Sequence, residues 1–141
     1  MKRLVIDAST LVSGITGSRS ESPPCLIYDA VSEMSVDAVV CPRLLDEVER
    51  GLRKPYFHEL IGEGEIAEAV SIIRAAGSML DDPVDPPAIL RDPEDDYLVA
   101  LARQAEAEAV VTGDRDLLDH PGLTPPAIDA RMACELLALI D

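Results

Sequence analysis

Short apolar runs alternate with longer amphipathic segments along the chain. Three of the runs, residues 2–6, 37–41 and 109–112, are the type found in buried parallel strands. Residues 77–80 and 122–124 carry weaker strand signals, and a helix is predicted over 127–139. Helical stretches of about 10 to 15 residues separate the strands, which is typical of βαβ units. We therefore predict one α/β domain over residues 1–141, an open parallel sheet with helices on both faces.

The proline-rich segment 81–93 interrupts this pattern and predicts a loop. The chain has 12 Lys and Arg against 27 Asp and Glu, a net charge of −15. Such a charge argues against nucleic-acid binding through a basic surface, because phosphate contacts need Lys and Arg. No apolar run reaches the about 18 residues that cross a membrane, and the segment before Asp7 is too short for a signal region, so a cytoplasmic protein is expected.

Cysteine usage gives no sign of a disulfide framework or a zinc site. Cys25, Cys41 and Cys134 are odd in number, widely spaced and lack a C-x-x-C motif. We predict that all three are buried small side chains.

Acidic and hydroxyl side chains follow two of the predicted strands. Asp7 follows the first strand, and Thr112, Asp114 and Asp116 follow the strand at 109–112. The carboxyl ends of parallel strands border the ligand crevice of α/β sheets. Considered alone, Asp7 is explained as a helix N-cap and the TGDRD segment as a surface turn. Because acidic side chains follow both strands, however, a ligand-binding site at this edge of the sheet is favoured.

The helix after the second strand carries two more candidate acids. At 100° per residue its apolar positions form one stripe, with Glu47 and Glu49 at the two rims and Arg43 and Arg50 facing water. Helical geometry leaves the choice between the glutamates open. Gly51, one turn after Glu47, gives Glu47 a modest preference because it adds no side chain beside it.

A further helix is predicted to start near Asp92, as N-cap, with Pro93 at its first position. Asp95 lies in line with the apolar stripe of this helix, whereas Asp96 is about 100° further round, on the wetter side. A carboxylate on a buried face needs a partner. Because nearby cations are scarce, that partner is expected to be a cation from outside the chain.

Four acids, Asp7, Glu47, Asp95 and Asp114, without positioned His or Cys, predict a site for a hard cation, Mg²⁺ or Mn²⁺. The corresponding chemistry is attack of metal-activated water on a phosphodiester. Bound divalent ions also let an acidic protein hold phosphates. The candidate substrate-binding cations near these acids are Arg43, Arg50, Arg53 and Lys54.

Four segments together resemble the motifs of PIN-domain ribonucleases, in the branch of VapC-like toxins from toxin–antitoxin systems. The segments are LVIDASTLV, PRLLDEVERGLRKPYF, RDPEDDYLVALA and VVTGDRDLL. The resemblance implies a sheet of about five strands, one or two Mg²⁺ or Mn²⁺ ions and cleavage of single-stranded RNA. It also implies a small protein antitoxin that occupies the acidic cleft, and a homodimer.

Carried over residue by residue, the resemblance gives two sets of site residues. The ligands or water-activating groups would be Asp7, Glu47, Asp95 and Asp114. The supporting residues would be Ser9, Thr112 and Asp116, the last also a candidate ligand. Spacing counted back from Thr112 could select Asp96 instead of Asp95, and the helical phase favours Asp95.

Two other classes of protein compete with the nuclease. A non-catalytic PIN-type module would bind RNA or a protein while its acids are vestigial, and the intact set of four acids weighs against it. A receiver-like signalling domain would need an acidic pair after the first strand and a phosphate-facing lysine. The first motif has one acid, and the last lysine in the chain is Lys54.

Overall fold

A computed structural model describes residues 1–17 and 21–140 of the chain. Within them, five parallel strands form one sheet in the order β3-β2-β1-β4-β5. The strands are β1 (Arg3–Ile6), β2 (Asp37–Val40), β3 (Ser78–Met79), β4 (Ala109–Val111) and β5 (Ala127–Ile128). This confirms the predicted single α/β domain with an open parallel sheet.

Helices connect and flank the strands. In the first half of the chain they are α1 (Ala8–Thr16), α2 (Pro23–Ser32), α3 (Pro42–Leu52), α4 (Pro55–His58) and α5 (Glu63–Ala76). In the second half they are α6 (Asp96–Gln104), α7 (Arg115–Leu118) and α8 (Ala130–Leu136), with a 3₁₀ turn, Pro93–Asp95, before α6. None of the helices in the described ranges is long and apolar enough to cross a membrane.

The central strand β1 shows why the sheet is buried. Its consecutive residues Leu4, Val5 and Ile6 are at most 1% exposed. Because successive side chains of a strand point to opposite faces, both faces of the sheet must be covered. The three cysteines are also buried and unpaired, as predicted.

The last strand differs from the prediction. The strand expected at 122–124 is wrong, since β5 pairs with β4 through Val110 and Ala127. The backbone N–H of Val110 also bonds to the carbonyl oxygen of Pro126 at 3.0 Å. A proline carbonyl can accept a hydrogen bond from a neighbouring strand, although proline has no N–H to donate. The predicted strand ended before the prolines, whereas the observed pairing with β4 begins at them. The helix predicted over 127–139 is correspondingly shorter, with Asp129 as its N-cap.

Helices α1 and α2 approach each other closely at Gly14. A Cβ atom at this position would lie 2.4 Å from the carbonyl oxygen of Pro24. The close contact of these helices therefore depends on a residue without a side chain.

Candidate active site

The site lies where the sheet order reverses. Strands β1 and β4 are neighbours, yet the chain leaves β1 toward β2 on its other side. Such a reversal opens a crevice at the carboxyl ends of the two strands. Asp7 follows β1 and Thr112 follows β4, so both lie at this point.

A cavity of about 390 Å³ brings three of the predicted acids together. Asp7, Glu47 and Asp95 line it, and they come from the end of β1, from α3 and from the 3₁₀ turn before α6. Ser9 lines it as well. Asp114 and Asp116 are not among its lining residues.

Thr112 connects Asp7 to the segment after β4. The buried Thr112 hydroxyl donates to Oδ2 of Asp7 at 2.7 Å and accepts from the backbone N–H of Asp114 at 3.0 Å. Asp7 occupies the N-cap position of α1, but its side chain makes no capping hydrogen bond. Helix capping therefore does not explain Asp7.

Asp114 and Asp116 have partners of their own. Asp114 caps α7, since its Oδ1 accepts from the backbone N–H of Asp116 at 2.9 Å. The Asp116 carboxylate pairs with the Arg91 guanidinium at 3.2 Å. The interpretation of TGDRD as a turn thus explains the capping bond of Asp114. The Thr112 hydroxyl, which bonds to both segments, also links Asp114 to Asp7.

The structure separates the two glutamates of α3. Glu49 forms an ion pair with Arg53 at 2.7 Å and does not line the cavity. Glu47 lines the cavity, and its Oε1 accepts a hydrogen bond from the hydroxyl of Tyr97. The preference for Glu47 over Glu49 therefore agrees with the geometry.

Tyr97 is a site residue that the sequence interpretation missed. It is 1% exposed, and the Arg43 guanidinium carbon lies 4.2 Å from its ring centroid. Burial, followed by the bond to Glu47, raises the pKa of the Tyr97 hydroxyl, which keeps it protonated as a donor. The signal was a tyrosine within the apolar run YLVALA, because a buried tyrosine hydroxyl needs a partner.

Asp95 is surrounded by other carboxylates. Burial, and then the charges of Asp7, Asp92, Asp114 and Glu47, raise the pKa of Asp95 to about 6. Repulsion of this kind favours either a proton or a metal cation at Asp95. The four predicted acids are thus electrostatically coupled through this residue.

The expectation that Asp96 lies on the wetter side of the helix is wrong. Asp96 is 2% exposed, and its Oδ1 accepts from the backbone N–H groups of Ile89 and Leu90 at 3.1 and 2.8 Å. The segment before α6 folds over the helix start, so the face expected to be wet is covered by the chain itself. Of the two neighbouring acids, Asp95 lines the cavity and Asp96 anchors this segment.

The four candidate substrate-binding cations are placed differently. Arg50 and Lys54 line the cavity. Arg43, expected to face water, instead covers the Tyr97 ring and donates to the carbonyl oxygen of Glu94 at 2.8 Å. Arg53 forms ion pairs with the carboxylates of Glu63 at 2.8 Å and Glu49 at 2.7 Å.

The donor set fits a hard divalent cation in chemistry, since it consists of carboxylate oxygens without His or Cys. It is not a preassembled coordination sphere. Across residues 1–17 and 21–140, no three Asp, Glu, His or Cys side chains are arranged so that they could hold a metal ion.

The chain belongs to the PIN domain family, whose model matches residues 3–116. PIN domains have a nuclease-type fold and are generally nucleases. The hypothesis of a receiver-like signalling domain is therefore dropped. The crystal structure of PAE2754 from Pyrobaculum aerophilum is similar in fold, with a TM-score of 0.65 and 17% sequence identity over 99% of this chain and 91% of that one. No curated protein sequence matches the chain.

Proposed function

We propose that this PIN domain is a Mg²⁺- or Mn²⁺-dependent endoribonuclease that cleaves single-stranded RNA by hydrolysis. The observation that carries the proposal is the environment of Asp95, a partly buried carboxylate whose pKa is raised to about 6 beside three other predicted site acids. Acids held together against their mutual repulsion are typical of cation sites. The nuclease-type fold of the family supports the same reaction class.

Asp7, Glu47, Asp95 and Asp114 would hold the ion. A bound divalent cation supplies an activated water and offsets charge on the phosphodiester. The chain's own groups orient the ligands, because Tyr97 holds Glu47 and Thr112 holds Asp7. Asp116, whose Oδ1 pairs with Arg91, would be a further ligand.

Cleavage of a labelled single-stranded RNA tests the proposal, with Mg²⁺ or Mn²⁺ and with EDTA. We expect cleavage only with metal, no cleavage by Asp7→Asn, and unchanged cleavage by Asp46→Asn. Asp46 is the matched control because it is exposed in α3, does not line the cavity and carries the same charge. Equal cleavage in EDTA, or by Asp7→Asn, would overturn the metal-dependent mechanism.

A non-catalytic PIN-type module is the second candidate. It is favoured by one observation, the lack of a preassembled metal-binding group among the described residues. RNA that binds but is never cleaved in Mg²⁺ or Mn²⁺ would support this candidate over the nuclease.

The proposal extends, through the resemblance to VapC-like toxins, to a cytoplasmic toxin that forms a homodimer. A small antitoxin would occupy the acidic cleft. Growth arrest on expression, relieved by the product of a neighbouring reading frame, is the expected result. Normal growth of cells that contain active enzyme would instead indicate a housekeeping nuclease.

A further inference from the structure

The cavity combines acids with residues of a different chemistry. Besides its carboxylates it is lined by Arg50, Lys54 and Phe57, which come from the end of α3 and the start of α4. Val12 and Gly51 also line it. A Cβ atom at Gly51 would lie 2.9 Å from Cγ2 of Val12, so α3 meets α1 here without a side chain from Gly51.

The two cations in the cavity lack protein partners. Of the other Lys and Arg side chains in the described ranges, eight contact a carboxylate or a backbone carbonyl: Lys2, Arg3, Arg43, Arg53, Arg91, Arg103, Arg115 and Arg131. Arg74 in α5 also lacks such a contact, but it does not line the cavity. The side chains of Arg50 and Lys54 make no hydrogen bond or ion pair within the described ranges. In a chain with 27 acids and 12 cations, two unpaired cations in one cavity provide charge complementary to an anionic ligand.

The aromatic residue beside these cations is the only phenylalanine of the sequence. Phe57 is half-buried and packs against the hydrophobic core, while part of it faces the cavity. Tyr56 meets it edge-on, with ring centroids 5.0 Å apart, and is itself 73% exposed without lining the cavity. A partly exposed ring next to cations is the arrangement that proteins use to stack unpaired bases.

We propose that Arg50, Lys54 and Phe57 form a subsite for one nucleotide of a single-stranded substrate. Arg50 and Lys54 bind phosphate groups, and the Phe57 ring contacts an unpaired base. A duplex is disfavoured because its bases are stacked on each other and cannot offer a free face. This inference rests on the proposed nuclease function, which it deepens by adding a substrate contact outside the acids.

The test measures binding rather than cleavage. The probes are a fluorescein-labelled ten-nucleotide single-stranded RNA and the same strand with its central bases removed. Fluorescence anisotropy gives the dissociation constant in Mg²⁺, in an Asp114→Asn background so that the proposed reaction does not consume the probe. The variants are Phe57→Leu, Phe57→Tyr and Lys54→Gln, and Tyr56→Leu is the matched control.

We expect Phe57→Leu to weaken binding of the intact strand about tenfold and to change binding of the base-free strand less than twofold. Phe57→Tyr should retain the affinity because it keeps the ring. Tyr56→Leu should change it less than twofold. Lys54→Gln should weaken both probes equally and lower the salt dependence by roughly 0.7 in log–log slope, the value for one phosphate contact on a single strand.

The stacking role is overturned if Phe57→Leu weakens both probes equally, if it weakens neither, or if Tyr56→Leu has an effect as large. Thermal melting of each variant shows whether the fold is retained. If Phe57→Leu does not fold, equal binding of the intact and the base-free strand by the protein with Phe57 overturns the stacking role. Base-dependent binding at Phe57 without cleavage by the wild type would remove the proposed nuclease function but keep the subsite. Metal-dependent cleavage by the wild type, with unchanged RNA binding by Phe57→Leu, would keep the proposed nuclease function but remove the subsite.

Discussion

The hydroxyl of Tyr97 donates a hydrogen bond to Oε1 of Glu47, which joins residues 50 positions apart in the sequence. Glu47 lies on α3 and Tyr97 on α6, so the bond fixes one carboxylate of the cavity relative to the helix that follows Asp95. Mutation of a group that holds a metal ligand in place typically lowers metal affinity or activity by about 10- to 100-fold.

Tyr97→Phe should therefore lower Mn²⁺ affinity or kcat by about 10- to 100-fold. The fold should be retained, because the ring that packs under Arg43 is kept. Calorimetric titration with Mn²⁺ and steady-state cleavage measure the two effects. Tyr28→Phe is the control, since Tyr28 lies in α2 and does not line the cavity, and an equal loss in both variants would contradict the positioning role.

The pKa of Asp95, raised to about 6, predicts a pH dependence of stability in the metal-free protein. The unfolded chain loses this proton near the ordinary value of 3.8, before the folded protein does. The free energy of unfolding contributed by Asp95 therefore falls as the pH rises from about 4 to about 6, and it stays low above that.

Asp95→Asn has no carboxylate to ionise at this position, so it avoids the loss of stability that the wild type suffers as Asp95 loses its proton. The stability of Asp95→Asn relative to the wild type should therefore be greater at about pH 7.5 than at about pH 5. Urea denaturation in EDTA measures it. Asp46→Asn, the exposed control, should show a smaller change. A stability difference between Asp95→Asn and wild type that is the same at both pH values would show that Asp95 has no raised pKa.

Asp96→Ala should destabilise the protein by about 3 kcal/mol, because the part-buried N–H of Ile89 and the buried N–H of Leu90 lose their acceptor. Asp96→Asn keeps an acceptor oxygen and should cost less. Denaturant unfolding gives both values, and Mn²⁺ titration of Asp96→Asn should match the wild type. Lost Mn²⁺ binding in Asp96→Asn, with Asp95→Asn unaffected, would assign the metal-binding role to Asp96.

Gly14→Ala should lower the free energy of unfolding by about 1 to 3 kcal/mol, because the added methyl group meets the carbonyl oxygen of Pro24. Gly64→Ala in α5 is the matched control. A Cβ at Gly64 meets no atom within 4 Å, so this change should be neutral or slightly stabilising through helix propensity. Equal effects in denaturant unfolding would show that α1 and α2 do not need this close contact.

The sequence predicted the central sheet because its strands are short, continuous apolar runs separated by longer helical segments. Leu4, Val5 and Ile6 are hydrophobic at every position, as expected for a strand that is buried on both faces. The two-residue strand β5 carries no such pattern. Its position depends on pairing with β4, a contact between segments that the local sequence does not specify.

The candidate site was predictable where acids follow strands, and less so where side chains depend on tertiary contacts. Asp7 could be placed from its position after β1. Helical phase selected Asp95, which lines the cavity from the 3₁₀ turn before α6 and not from a regular helix that starts at Asp92. It missed the burial of Asp96, because a helical wheel does not include a loop packed over the helix start. The bond from Tyr97 to Glu47 joins two helices and has no local signal.

Titration of Mn²⁺ into the metal-free protein, followed by electron paramagnetic resonance of the free ion, tests the central claim most directly. The account predicts saturable binding by the wild type, at least tenfold weaker binding by Asp7→Asn and Asp95→Asn, and unchanged binding by Asp46→Asn. No saturable binding by the wild type, or equal binding by all four proteins, would contradict it.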